Sequence, residues 1–156
     1  MMISMNRRHF FKSNVAAAVL AALPGTLSAQ RNSDQTRRRV KIGFFGASHS
    51  HALEKVRIAK SSADFDLVGV VEQNEAVRQR LKDLAARFVS QEQLFAEAEL
   101  VAVESDVRDH AWQTKAALEA GKHVHVEKPP ADNRKDFDEL VSLAKRKNRL
   151  LQLGYM

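Results

Sequence analysis

The stretch Gly121-Lys122-His123-Val124-His125-Val126-Glu127-Lys128-Pro129-Pro130 joins a helix end, a short β-branched strand and a turn with no spare residue between them. Glycine closes a helix because its missing Cβ lets the chain leave through the left-handed region. A strand this short, following a helix directly, belongs to an open parallel sheet, and in such a sheet ligands bind in the crevice outside the carboxyl ends of the strands. Glu127 and Lys128 therefore enter that crevice as a paired acid and base, and Pro129 stiffens the turn.

Outward from that turn, the chain alternates short apolar runs with amphipathic stretches from Arg39 onward, which is the pattern of a parallel sheet covered by helices. Strands are predicted at Val40 to Phe45, Phe65 to Val71, Leu100 to Glu104, His123 to Val126 and Leu150 to Gly154, with Phe88-Val89 as a possible short addition. Apolar residues at three- and four-residue spacing predict helices over Ala52 to Ser61, Glu75 to Arg87, His110 to Ala120 and Asp132 to Lys147. Asp132 is the expected N-cap of the last helix, with Asp136 and Glu139 near its positive end. The fold class is α/β: a doubly wound parallel sheet, a Rossmann fold, in one domain spanning 39–156.

The N-terminus has another character. Asn6-Arg7-Arg8-His9-Phe10-Phe11-Lys12 precedes the apolar run Val15 to Leu23 and then Pro24-Gly25, which reads as a twin-arginine export signal over 1–29 and implies a periplasmic or otherwise extracytoplasmic destination. A polar tail with a chance Arg-Arg pair is the alternative. The apolar run falls far short of the roughly 20 residues that span a bilayer, so no stable membrane span is expected. Residues 30–38, polar and basic, form a linker. About 127 of the 156 residues then remain, enough for one ordinary domain with a real core.

The net charge of +6 suggests nucleic acid until it is located. Arg7, Arg8 and Lys12 stand without an acid in the signal, and Arg31, Arg37, Arg38, Arg39 and Lys41 face Asp34 alone, so acids exceed bases by one from residue 42 onward. The body of the protein therefore gives no support for nucleic-acid binding. A membrane or nucleic-acid role for segment 31–41 rests on a linker and ranks last. Cysteine is absent, which is compatible with an oxidising or a reducing compartment.

The first strand runs into Gly43-Phe44-Phe45-Gly46-Ala47-Ser48-His49-Ser50-His51, where a strand turns straight into a helix and free backbone amides can cradle a pyrophosphate. A full G-x-G-x-x-G from Gly46 would need glycine at 48 and 51, and this chain has Ser48 and His51. A simple tight βα turn is the alternative. Glu72 follows the second strand, 26 residues after Gly46. A carboxylate there accepts hydrogen bonds from ribose hydroxyls and repels a 2′-phosphate, which favours NAD over NADP. Arg78, a helical turn further, softens that preference.

These residues resemble the Gfo/Idh/MocA oxidoreductases, whose N-terminal Rossmann domain ends in an Ala-Gly-Lys-His-Val-xxx-Glu-Lys-Pro turn. Ala120-Gly121-Lys122-His123-Val124-His125-Val126-Glu127-Lys128-Pro129 is similar to it throughout, and the resemblance extends over 39–156. It implies that Lys128 is the catalytic lysine, hydrogen-bonding a substrate oxygen or assisting proton transfer, with Glu127 near the nicotinamide ribose. It further implies a dinucleotide site built from Gly46, Ala47, Ser48, His49, Ser50, Glu72, Glu104, Ser105, His110, Glu127 and Lys128. Where the family usually shows Thr-Pro-Asn before its histidine, this chain has Glu104-Ser105-Asp106-Val107-Arg108-Asp109-His110; Ser105 and His110 match, whereas Asp106 and Val107 depart and place an acid near the pyrophosphate.

The pairs His49-Ser50-His51 and His123-Val124-His125 invite a metal reading, but no acidic or sulfur cluster accompanies them in sequence, and no metal is assigned. Trp112 is read as helix packing. The family's substrate-binding domain does not follow in this chain, so a truncated or partial product is expected, inactive alone and without the usual oligomer interface. The leading reading is the NAD-binding domain of an exported oxidoreductase that, when complete, transfers hydride with a sugar or polyol-type substrate. The alternative is a non-catalytic module that binds a nucleotide or a partner protein.

Overall fold

The computed structural model describes residues 38–154. The signal read over 1–29, most of the linker and the last two residues lie outside them. Five strands, β1 (Val40–Phe45), β2 (Phe65–Val71), β3 (Leu100–Val103), β4 (His123–Val126) and β5 (Leu151–Leu153), form one sheet in the order β2-β1-β3-β4-β5. Every pairing is parallel. The helices are α1 (Ala52–Ser61), α2 (Glu75–Lys82), α3 (Gln91–Glu97), α4 (Val107–Glu119) and α5 (Arg134–Lys147). The expected doubly wound α/β architecture is what the chain adopts.

Strand alternation sorts the core into two layers, because successive side chains point to opposite faces. Phe45, Val101, Val103, Val124 and Val126 pack with Leu94, Ala117, Leu118, Leu140 and Leu143 of α3, α4 and α5. Ile42, Phe44, Val70 and Ala102 pack with Ala52, Val56, Val77 and Leu81 of α1 and α2. Each fully buried Val or Leu contributes on the order of 1.5–3 kcal/mol of transfer free energy, so this two-faced burial is what selects the sheet.

The helix ends differ from expectation in instructive ways. α2 stops at Lys82, not Arg87, because segment 87–89 must lie along β2: Val70 N–H donates to Arg87 O, Val89 N–H donates to Val70 O, and Phe88 makes a one-residue parallel bridge with Val70. Asn133, not Asp132, caps α5, its side chain accepting the N–H of Asp136. The helix α3 was not expected. Ser90 opens it with a capping box, accepting from Gln93 N–H while the Gln93 side chain accepts from Ser90 N–H, and Leu94 anchors it in the core. α4 starts at Val107, three residues early.

Candidate functional site

Register sets the site. Phe45 pairs with Val103, and Val103 with Val126, so the next residues of the three central strands, Gly46, Glu104 and Glu127, stand side by side at the carboxyl edge of the sheet. β1 is flanked by β2 on one side and β3 on the other, so its turn lies where the chain's order reverses, the place at which open α/β sheets bind ligands. A cleft of about 340 Å3 opens there. Gly46, Ser48, Glu72, Ser105, Asp106 and Trp112 are among the residues that line it.

The β1–α1 turn is tightly held. Gly46 has φ +78°, and a Cβ on it would meet Ser105 Cβ at 2.4 Å, so this position needs glycine both for its backbone and for the approach of the β3 turn. Gly46 N–H donates to Val71 O at 2.8 Å and His49 N–H to Glu104 O at 2.9 Å. Glu72 sits across the turn, one carboxylate oxygen accepting Ala47 N–H at 2.9 Å and the other Asn74 N–H at 2.8 Å. Its neighbour Arg78 donates to Glu72 O and stacks over the Phe88 ring at 4.2 Å, and does not itself line the cleft.

On the β3 side, Asp106 reaches over the cleft. Ser48 Oγ donates to Asp106 Oδ1 at 2.9 Å, and Arg108 donates to the other oxygen at 3.2 Å. Ser105 Oγ donates to buried Gln113 at 2.7 Å, fixing the turn below. Trp112, expected in helix packing, is 50 % exposed on the cleft wall. Its indole N–H donates to Asp109, and its ring meets the buried Phe45 edge-on, centroids 5.3 Å apart. His110 is fully buried and joins two turns, one ring nitrogen 2.7 Å from Pro129 O and the other 3.0 Å from Ser105 O.

Glu104 and Glu127 point to the α1 face and away from the cleft. They are 0 % and 1 % exposed, and Lys55 of α1 bridges them, Nζ 2.7 Å from Glu104 and 2.5 Å from Glu127. His125 Nε2 completes the cluster, 3.1 Å from Lys55 Nζ and 3.4 Å from Glu104. Burial pushes the Glu127 carboxyl up, but the Lys55 hydrogen bond, the Lys128 backbone N–H and the charges of Lys55 and His49 overcome it and hold the pKa at about 2. Burial likewise pushes Lys55 down, and its bonds to Glu104 and Glu127 leave it above its ordinary value. Lys128 itself is exposed, preceding a cis Pro129, and its ammonium makes no hydrogen bond or ion pair among the described residues.

The structure thus brings Gly46, Ser48, Glu72 and Ser105 to one cleft, keeps Ala47 buried beneath it, and sets His49 and Ser50 beside it at the start of α1. It places Glu104, Glu127 and His110 behind it as supports. The His49–His51 pair does have an acidic companion, Glu127, which is remote in sequence. Lys55 and the Ser48–Asp106 bridge were not singled out in sequence.

The donor set suits a dinucleotide. The Glu72 carboxylate, the Asn74 amide group, the Gly46 turn and the exposed Trp112 indole all line the cleft, with Asp106 already matched by Arg108 and Ser48. Comparison with known proteins agrees. Residues 40–155 match the oxidoreductase family with an NAD-binding Rossmann fold named Gfo/Idh/MocA. The UDP-N-acetylglucosamine 3-dehydrogenase of Acidithiobacillus ferrooxidans is 27 % identical over 119 residues, covering 75 % of this chain and 37 % of its own. Its solved structure superposes with TM-score 0.65, covering 75 % of this chain and 38 % of its own at 25 % identity. The dTDP-3,4-didehydro-2,6-dideoxy-alpha-D-glucose 3-reductase of Saccharopolyspora spinosa is 34 % identical over 128 residues, 77 % of this chain and 37 % of its own. Biliverdin reductase of Synechocystis sp. PCC 6803, solved with biliverdin and NADP+, is 26 % identical with TM-score 0.66 over 73 % of this chain and 37 % of its own. This chain spans little more than a third of the length of the curated relatives it matches. With the family match covering most of the chain, and a parallel sheet whose switch point carries the cleft, the protein belongs to the Gfo/Idh/MocA oxidoreductases, and residues 40–155 are its NAD-binding Rossmann domain.

Proposed function

We propose that the cleft binds NAD in preference to NADP and serves, together with a substrate-binding partner domain, an oxidoreductase acting on a sugar or nucleotide-sugar alcohol. The observation that carries the cofactor preference is Glu72, whose carboxylate is fixed on the Ala47 and Asn74 amides at the cleft's rim. A carboxylate held there accepts ribose hydroxyls and repels a 2′-phosphate. Arg78, the nearby cation that would receive such a phosphate, is engaged with Phe88 and the Glu72 carbonyl. The sugar class rests on the two relatives just named, a UDP-N-acetylglucosamine 3-dehydrogenase and a dTDP-deoxyglucose-type 3-reductase.

Bound nicotinamide supplies or accepts the hydride. The protein's part is to position and to move the proton. Gly46 and Ser48 line the cleft, Trp112 supplies an apolar wall, and Lys128, exposed after the end of β4 and without an ion pair among the described residues, supplies the cation that holds a substrate oxygen and takes or returns its proton. Lys55 and His110 act behind that turn, the first through Glu127 and the second through the Pro129 carbonyl. The N-terminal Arg-Arg segment supports export by the twin-arginine route, which carries folded proteins.

Fluorescence titration of the protein with NADH and with NADPH tests the cofactor reading, using Glu72→Ala in parallel. Saturable NADH binding, weaker NADPH binding and a loss of that preference in Glu72→Ala are expected. Equal affinity for both nucleotides in the unaltered protein overturns it.

A further inference from the structure

The buried acids behind the cleft outnumber the fixed cations. Glu104 and Glu127 share one ammonium, that of Lys55, and Glu104 Oε2 is buried without a hydrogen-bond partner among the described residues. An uncompensated buried charge costs several kcal/mol, so the surplus calls for a further positive charge. Three imidazoles stand against it, His125 on the Glu104 side at 3.4 Å and His49 and His51 on the Glu127 side. His51 Nδ1 lies 3.7 Å from Glu127 Oε2, and the His49 ring meets that of His51 edge-on with centroids 5.0 Å apart. One ligand atom from each of His49, His51 and Glu127 lies within 4.8 Å of the other two.

We propose that His49, His51 and Glu127 form a binding site for a divalent transition-metal ion of the zinc class. Two neutral imidazoles and one carboxylate make the donor set that zinc, cobalt and nickel take and that calcium and magnesium do not. In a tetrahedral zinc site, bonds of about 2.0–2.1 Å place ligand atoms roughly 3.4 Å apart, so the His51–Glu127 pair is already near that spacing and His49 needs only a side-chain adjustment. Both rings are available as donors. The one hydrogen bond either makes among the described residues is a long 3.4 Å contact from His51 N–H to His49 Nδ1.

The electrostatics favour a cation despite two opposing terms. Lys55 contributes one positive charge and the N-terminus of α1 about half of one, against the two buried carboxylates. When the metal takes Glu127, Lys55 keeps Glu104 at 2.7 Å and His125 at 3.1 Å, so no charge is orphaned. The ion would tie the β1–α1 turn to the β4 turn one residue from Lys128. None of its three ligands lines the cleft, so the site does not depend on the dinucleotide reading.

The test is titration of the chelator-treated full chain with zinc chloride by calorimetry and with cobalt chloride by visible absorption. One equivalent of zinc per chain and the ligand-field bands of four-coordinate cobalt are expected. His49→Ala and His51→Ala each lower zinc affinity at least about tenfold, whereas His123→Ala, whose ring accepts Leu150 N–H at the amino end of β4, leaves it unchanged. Glu127→Gln is the third ligand variant; should it fail to fold, the half-exposed His51 variant still decides the matter, with circular dichroism confirming its fold. Absence of stoichiometric zinc binding, or binding that survives in the His49→Ala/His51→Ala double variant, overturns the proposal.

Discussion

The ammonium of Lys55 lies 2.5 Å from Glu127 Oε2, so a residue in the second turn of α1 holds the acid that precedes the exposed lysine of the Glu-Lys-Pro turn. Because the same ammonium holds Glu104 at 2.7 Å, one helical side chain pins the ends of two adjacent strands. Lys55→Met leaves two buried carboxylates facing each other without a counter-charge, and removing one partner of a buried pair costs about 3–5 kcal/mol. Urea unfolding is expected to show that loss, with much of it recovered in a Lys55→Met/Glu104→Gln double variant.

Glu127 sets an acid limit on stability. Its folded pKa of about 2 lies below the ordinary 4.5, so the stabilisation is fully present above the unfolded value and disappears as the pH falls from there through 2. A gap of this size corresponds to about 3 kcal/mol. Unfolding free energy measured between pH 7 and pH 3 should fall more steeply in the unaltered protein than in Glu127→Gln.

Gly46→Ala is expected to damage fold and cleft together. The φ of +78° is strained for alanine, and the new methyl would meet Ser105 Cβ at 2.4 Å and Cα at 2.9 Å, which the backbone must relieve by moving the β3 turn. Strain and overpacking together cost about 2–5 kcal/mol, read as a lowered melting temperature.

Asp106→Asn tests the acid over the cleft. Under the proposed function it tightens NADH binding several-fold, since removing one half-screened charge near a diphosphate is worth about 1 kcal/mol. Asparagine still accepts the Ser48 hydroxyl, so stability should hold within ±0.5 kcal/mol. Unchanged or weaker binding would show that Asp106 does not oppose the phosphate.

Leu94→Ala probes the unexpected helix. Leu94 is fully buried, and its Cδ1 fills the space that a side chain at Gly43 would occupy, 2.1 Å from where that Cβ would stand. The cavity is expected to cost about 2–5 kcal/mol in thermal or denaturant unfolding, with α3 the first element to lose hydrogen-exchange protection.

The strands and the long helices were legible because burial marks the sequence: a strand covered on both faces is a short continuous apolar run, and α1 and α5 carry apolar residues at a spacing of three to four. The ends were not, since α2 stops early only to let 87–89 pair with Val70. The helix α3 left a signal, Ser90 with Gln93 three residues on and Leu94 next, but its length of seven residues carries too little periodicity to stand out.

By itself the sequence determined the α/β class, the two turns bearing Gly46 and Glu127-Lys128, and the acid at the end of β2, because each depends on neighbours within a few positions of the chain. Only the tertiary structure decided which of those residues share a cleft and which support it. Register aligns Gly46, Glu104 and Glu127, while alternation turns both acids toward α1 and Lys55. Residues 49, 51 and 127 meet for the same reason: strand pairing brings together side chains that no local spacing connects.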